Sequence, residues 1–233
     1  MRRYNFKNVY NCRDIGGYFT DKNQVVKHHV FLRADNLTGL SESEIEFLKE
    51  EGLESVIDLR HQNEIDQDPD PFVGHKDIHY HNIALLDQAQ FTLEDLNQIK
   101  LSDLYIQIAE NARFVKHVFE TLALYKGAVL YHCSAGKDRT GVITALLFKL
   151  VGVANVDIVT NYEVSFTYFV PKYVNADRNV SDVYAELFAS KPETMVTFLQ
   201  YLDAKYPNIY DYFLSKDISL ETLDAIKHKM LDG

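Results

Sequence analysis

Apolar and polar positions along the chain follow two different periods. Four short apolar runs read as strands: Val30-Phe31-Leu32, Ser55 to Leu59, Ile78 to Ile83, and Ala128 to His132. Between and after them, apolar residues recur at three- and four-residue steps. This predicts helices over Ser41–Glu50, Ser102–Tyr125 and Thr140–Val151. Ser41 and Glu44 have capping-box spacing, and Gly52 is a natural stop. Four further helical patterns lie around Val156–Tyr168, Val180–Ala189, Pro192–Lys205 and Leu220–Leu231. The stretch from His61 to Lys76, rich in Asp and Pro, reads as a solvated loop.

Strands alternating with helices imply an α/β fold. A central, mostly parallel sheet of about four or five strands would be flanked by helices, with a helical C-terminal part. The length of 233 residues fits a single domain over 1–233, with 155–233 as its mostly helical extension. Ligands of such sheets sit beyond the carboxyl ends of the strands. Three places are therefore marked: after Leu59, after Ile83 and after His132.

Charge narrows the partners. Lys and Arg total 24 against 34 Asp and Glu, so the net charge is −10. Such a chain is a poor general binder of nucleic acid or anionic membrane, and a phosphorylated ligand would need a local basic cluster. No run has the apolar length of a membrane span; the most apolar stretch, Val142 to Val153, contains Lys149 and reads as a buried helix. The start, from Met1 to Asp14, lacks the apolar segment of a signal peptide. Two cysteines, Cys12 and Cys133, are too few for a disulfide framework and point to a reducing compartment. The expectation is a soluble cytoplasmic protein, with export by a signal-independent route left open. Whether Cys12 lies near enough to Cys133 to protect it as a reversible disulfide stays open as well.

The local basic cluster lies in His132-Cys133-Ser134-Ala135-Gly136-Lys137-Asp138-Arg139-Thr140-Gly141. An apolar strand runs into Cys133, five residues intervene, and Arg139 and Thr140 open an apolar helix. A short loop at a helix start can turn its backbone N–H groups onto an anion. Ser134, Ala135 and Gly136 are small enough to let a tetrahedral oxyanion close to the backbone. Arg139 offers a planar fork for two phosphoryl oxygens. The same field favours a Cys133 thiolate, a nucleophile for phosphorus. The plain alternative is a buried, inert cysteine at a strand end, which leaves the small residues, the arginine and the following helix unexplained.

This segment resembles the H-C-x5-R-[ST] signature of the protein tyrosine phosphatase superfamily. More closely it resembles the H-C-x-A-G-K-D-R-T-G loop of the bacterial and fungal branch that dephosphorylates proteins and lipids. Asn11-Cys12-Arg13-Asp14-Ile15-Gly16-Gly17-Tyr18 resembles the N-x-R-D-x-G-G-Y opening of that branch. Phe31 to Leu37, then Val56-Ile57-Asp58-Leu59-Arg60 and Glu64, extend the match. The resemblance implies a sheet flanked by helices and neither metal nor organic cofactor. It implies Cys133 as nucleophile and Arg139 as phosphate-binding arginine, with Ser134, Ala135, Gly136, Lys137, Asp138, Arg139 and Thr140 around the substrate. Thr140 would orient the thiolate, and His132 would hold the loop.

A leaving oxygen needs a proton. The chain has no Trp, so the usual Trp-Pro-Asp acid loop is absent. Three candidates follow in order. Asp138 stands before the loop arginine, as in myotubularin-like lipid phosphatases; Asp58 ends a strand; Asp87 follows another. Asp58 could instead pair with Arg60 or Arg13. Lys137 suits a second phosphate, as on phosphoinositides, or merely steadies the loop. Arg13, Arg33 and Arg60 either add a basic site or form ion pairs with Asp14, Asp35 or Asp58. The aromatic residues Tyr162, Phe166, Tyr168, Phe169 and Tyr173 either roof the pocket or pack as core.

The expected activity is hydrolysis of phosphate monoesters through a phosphocysteine, on phosphotyrosine and also on phosphoinositides or phosphoserine and phosphothreonine. The expected partners are phosphorylated protein or phosphoinositide, with no nucleic acid and no stable membrane insertion. Two rivals remain: a module that binds phosphorylated partners without cleaving them, and a redox or sulfur-transfer protein, which the lack of C-x-x-C spacing disfavours.

Overall fold

The computed structural model describes residues 2–85, 100–174 and 189–231, without the side chains of 172–174. Among these residues six strands form one sheet. β1 (Arg2–Arg3) and β2 (Arg13–Asp14) are short and antiparallel at one edge. β3 (Phe31–Ala34), β4 (Leu53–Asp58), β5 (His79–Asn82) and β6 (Ala128–His132) run parallel, and the full order is β1-β2-β3-β6-β4-β5. The mostly parallel sheet matches the expectation; the two edge strands are too short to leave a periodic signal. In register, Ala34 and Asp58 both face His132, and Asp58 faces Asn82. The carboxyl ends of the parallel strands therefore line one edge.

Alternation along the strands sorts side chains to two faces. Val129 and Tyr131 enter one core cluster, and Leu130, between them, enters the other. The smaller cluster gathers Leu32, Val56 and Leu130 under α1 (Glu42–Glu50), the N-terminal Tyr4 and Val9, and Phe72. The capping box of α1 is formed: Ser41 Oγ accepts from the Glu44 N–H at 3.4 Å, and Glu44 Oε2 from the Ser41 N–H at 2.8 Å. α2 (Gln62–Gln67) follows β4. The larger cluster is covered by α3 (Leu101–Glu110), α4 (Ala112–Leu124), α5 (Asp138–Val151), α6 (Asn155–Val174), α7 (Pro192–Lys205), α8 (Ile209–Leu214) and α9 (Leu220–Met230). α5 is buried nearly all round, and Gly152, at φ +80°, ends it.

Several expectations need correction. The long helix over Ser102–Tyr125 is two helices, because Asn111 leaves helical geometry and its side chain accepts from the Phe114 N–H at 3.0 Å, capping a new start. The stretch from His61 to Lys76 is not merely a solvated loop: it holds α2, and Asp70 and Phe72 are buried. Asp138 rather than Thr140 opens α5. The pattern over Val180–Ala189 lies almost wholly outside the described residues.

Candidate active site

β6 delivers Cys133 to the carboxyl edge of the sheet, and α5 starts five residues later. Cys133 is buried, and Thr140 Oγ1, in the first turn of α5, donates to its Sγ at 3.2 Å. The turn between them needs Gly136, which sits at φ +63° and so close to β3 that a Cβ would run into the Ala34 carbonyl. The loop is tied down through its carbonyls. Asn11 Nδ2 donates to Ala135 O at 2.9 Å and Gly136 O at 3.1 Å, and Arg33 Nη2 donates to Gly136 O at 2.6 Å. Across a planar trans peptide the N–H points opposite to the C=O. The N–H groups of Gly136 and Lys137 therefore face away from these anchors.

Arg139 is buried and held by Glu64 of α2. Nη1 donates to Glu64 Oε2 at 2.7 Å, and Nη2 to Oε1 at 2.9 Å. Nη1 also donates to Leu59 O at 3.2 Å, and Ser134 Oγ donates to Glu64 Oε1. Burial alone would raise the Glu64 pKa, but the Arg139 and Ser134 bonds bring it down to about 2.

Behind the loop lies a fully buried charge cluster. Asp58 accepts from Arg60 Nε at 3.0 Å, from Arg60 Nη2 at 2.7 Å and from Tyr80 Oη at 2.9 Å. His132 Nε2 lies 3.1 Å from Asp70 Oδ2 and 3.7 Å from Asp58 Oδ1. Burial opposes charge on Asp58, but His132 and Arg60 together lower its pKa. Burial likewise opposes charge on His132, but Asp58 and Asp70 raise its pKa. An imidazolium at His132, together with the Arg60 guanidinium, would balance the charge of the two carboxyl groups. Asp58, Asp70 and His132 offer ligand atoms within 4.8 Å of one another. The place of a cation is filled by Arg60, whose Nη2 also lies 3.6 Å from Asp70. Asp58 thus stands as the ion-pair partner of Arg60.

Asp138 is placed differently. It opens α5 with its side chain 27% exposed. Tyr105 Oη donates to Asp138 Oδ1 at 2.6 Å, and Lys137 Nζ lies 3.3 Å from the same oxygen. Asp87 lies outside the described residues.

The arginines Arg13, Arg33 and Arg60 do not add a second basic surface; all three are buried. Arg60 pairs with Asp58 as described. Arg13 Nη2 donates to Asn161 O at 2.8 Å and Ser165 Oγ at 2.9 Å, and Arg33 Nη1 to Asn161 Oδ1 at 2.8 Å. Asp14 and Asp35 are used elsewhere: Asp14 accepts the Gly16 N–H at 2.6 Å, and Asp35 the Asn11 N–H at 2.9 Å. Tyr162 and Phe169 are core, Phe166 is exposed, and the Tyr168 ring lies 4.2 Å from the Arg3 guanidinium. Both cysteines are free thiols. Cys12 belongs to the smaller cluster and Cys133 to the larger, so they lie on opposite sides of the sheet and are not placed to pair.

The model of the tyrosine phosphatase family matches residues 4–232. The chain belongs to this family.

A tyrosine-protein phosphatase of Nostoc commune is 35% identical over 143 residues, 59% of this chain and 49% of that protein. A relative from Cupriavidus necator is 27% identical over 167 residues, 67% of this chain and 60% of its own length. The chain thus spans roughly half to three-fifths of the curated relatives it matches. Among solved structures, P. aeruginosa TpbA is similar at 12% identity and a TM-score of 0.46, over 86% of this chain and 97% of that one. The catalytic core of Siw14 is similar at 15% identity and a TM-score of 0.41, over 83% and 96%.

In this family member the sequence signature brings Cys133, Arg139, Thr140 and Asp138 to one strand end. It leaves several supporting residues without a role. Glu64 and Asn11 stand inside motifs quoted above, so their positions were visible but not their partners. Asp70 lies in the apparent loop. Tyr105 lies on a helix where it looks like core, and nothing in the sequence separates it from its apolar neighbours.

Proposed function

We propose that this chain hydrolyses phosphate monoesters through a covalent phosphocysteine on Cys133, with phosphotyrosine as its plainest substrate. The observation that carries the reading is the Thr140 hydroxyl donating to Cys133 Sγ at 3.2 Å, where a strand turns directly into α5. The inward N–H groups of Gly136 and Lys137 and the first turn of α5 would bind the phosphoryl oxygens. Glu64 takes the Nη1–Nη2 edge of Arg139, so the Nε side of the fork would face the phosphoryl group.

The thiolate attacks phosphorus, an S–P bond forms, and the P–O bond to the leaving group breaks. Asp138 gives the leaving oxygen its proton. Water then attacks phosphorus, Asp138 takes a proton back, and phosphate leaves with the thiolate restored. Asp138 is preferred over Asp58 because it is partly exposed at the loop, while Asp58 is spent on Arg60 and Tyr80. Lys137 is buried beside Asp138, which supports a loop-steadying role. Phosphoinositides therefore rank behind phosphotyrosine.

The test is phosphate release by wild type and Cys133→Ser from phosphotyrosine, phosphoserine and phosphothreonine peptides and from phosphoinositides. Release that vanadate blocks and Cys133→Ser loses is the expected result. Release that survives in Cys133→Ser would overturn the cysteine mechanism. Phosphopeptide binding without any release would replace hydrolysis by recognition.

A further inference from the structure

We infer that Tyr105 and Tyr162 are positioning residues for proton transfer at Asp138, and that they fix which carboxyl oxygen serves the leaving group. This rests on the assignment of Asp138 as the acid. Three helices meet at the point: Asp138 opens α5, Tyr105 comes from α3 and Tyr162 from α6. Both tyrosines are buried, and their hydroxyl oxygens lie 2.9 Å apart. Their rings stand edge to face at 5.8 Å and 84°, and Phe198 of α7 packs edge-on against Tyr105 at 6.3 Å. Packing thus blocks the Tyr105 hydroxyl from swinging away.

Burial, and then the Asp138 charge, push both phenols above their ordinary range, so both keep their protons at working pH. Tyr105 therefore always has a proton to donate. Whether or not Oδ2 carries a proton, Oδ1 accepts the Tyr105 O–H, at 2.6 Å. Lys137 Nζ faces the same oxygen at 3.3 Å. With Oδ1 held twice, Oδ2 is the oxygen that carries the transferable proton. As the S–P bond forms and the P–O bond breaks, that proton passes to the leaving oxygen. The charge left on Asp138 is met at Oδ1 by the phenol. In the second step Oδ2 recovers a proton from the attacking water as the S–P bond breaks. An unanchored carboxyl rotates broadly about χ2, and only a fraction of its orientations would present a proton.

The experiment compares Tyr105→Phe, Tyr162→Phe and Asp138→Asn in the full chain. Substrates run from p-nitrophenyl phosphate, whose leaving group needs little protonation, to an alkyl phosphate, whose leaving group needs it fully. Tyr105→Phe should lower kcat on the alkyl phosphate about 10- to 100-fold, with KM within about threefold. On p-nitrophenyl phosphate it should change kcat by less than about threefold, and vanadate inhibition should be preserved. Tyr162→Phe should act in the same direction and less. Equal slowing on both substrates, an effect on KM alone, or no effect would overturn the inference if Asp138→Asn shows the leaving-group dependence. If Asp138→Asn shows none, the acid assignment and this inference fall together. Should Tyr105→Phe not fold, Tyr162→Phe carries the same test one link further out.

Discussion

Glu64 clasps Arg139 at two points, Oε2 to Nη1 at 2.7 Å and Oε1 to Nη2 at 2.9 Å, and so sets the plane of the guanidinium over the Cys133 loop. A fork rotated by a fraction of its width no longer meets two phosphoryl oxygens. Glu64→Ala is expected to lower kcat/KM on p-nitrophenyl phosphate by about 100-fold, the effect of an ångström-scale misplacement. Glu64→Gln, which keeps one acceptor, should lie between it and wild type. The pair also sets an acid limit. The Glu64 pKa is lowered to about 2 from an ordinary 4.5, so its contribution is present above 4.5 and is lost as pH falls toward 2. Acid unfolding followed by circular dichroism should show a shallower loss of stability in that window for Glu64→Gln than for wild type.

Gly136 joins conformation to function at one residue. Its φ of +63° is costly for any side chain, and its missing Cβ makes room for the Ala34 carbonyl. Gly136→Ala is expected to destabilise the protein by about 1–3 kcal/mol from backbone strain alone. Moving residue 136 off the Ala34 carbonyl would also break the bonds that its own carbonyl accepts from Asn11 and Arg33 and turn the opposing N–H groups away. Thermal unfolding should drop by several degrees, and vanadate inhibition should weaken more steeply than stability does. A variant with lowered stability and unchanged vanadate affinity would separate the two roles and refute the coupling.

The Thr140 hydroxyl donates to Cys133 Sγ at 3.2 Å. Thr140→Val keeps the shape and removes the donor. Hydrogen bonds to charged groups contribute about 1.5–3 kcal/mol. Loss of that bond is expected to slow alkylation of Cys133 by iodoacetamide about 10-fold or more. Burial pushes the Cys12 thiol pKa up, so Cys12 should stay unlabelled and mass spectrometry can read the site directly. Equal alkylation rates in Thr140→Val and wild type would remove Thr140 from any role at the thiol.

The parts legible in the sequence are those whose physics is local. The run from His132 to Gly141 carries a strand end, a tight turn and a helix start within ten positions, and each leaves a residue type behind. The Ser41–Glu44 cap is legible for the same reason. The partners of these residues are not local. Glu64 stands 75 positions from Arg139, and Asn11 stands 124 from Ala135. Periodicity and spacing say nothing about contacts across such separations. Asp70 was hidden by its neighbours, since a run of Asp and Pro has the composition of a solvated loop even where one carboxylate turns inward. Arg13 and Arg33 mislead for the opposite reason: a charged residue reads as surface unless its buried acceptors, here Asn161, Ser165 and the Gly136 carbonyl, are known.

The buried group of Asp58, Asp70, Arg60 and His132 makes the fold sensitive to alkali rather than acid near neutrality. Arg60 balances one carboxylate at every working pH, so the second is balanced only while His132 is an imidazolium. The His132 pKa is raised above its ordinary 6.5 by Asp58 and Asp70 against the opposing effect of burial. A group raised in this way contributes stability that is fully present below 6.5 and is lost as pH climbs through the folded-state value. Deprotonation would leave a net buried negative charge against the back of the Cys133 loop, where His132 Nδ1 lies 3.4 Å from the Cys133 carbonyl. The melting temperature of wild type should therefore decline as pH rises above neutrality. Asp70→Asn removes the second carboxylate and with it the demand for the proton. Its melting temperature should start lower at pH 6, because a buried ion pair has lost one partner. It should then change less than that of wild type up to pH 9. Parallel slopes in the two proteins would show that His132 is neutral throughout, and the charge balance drawn for the cluster would be wrong.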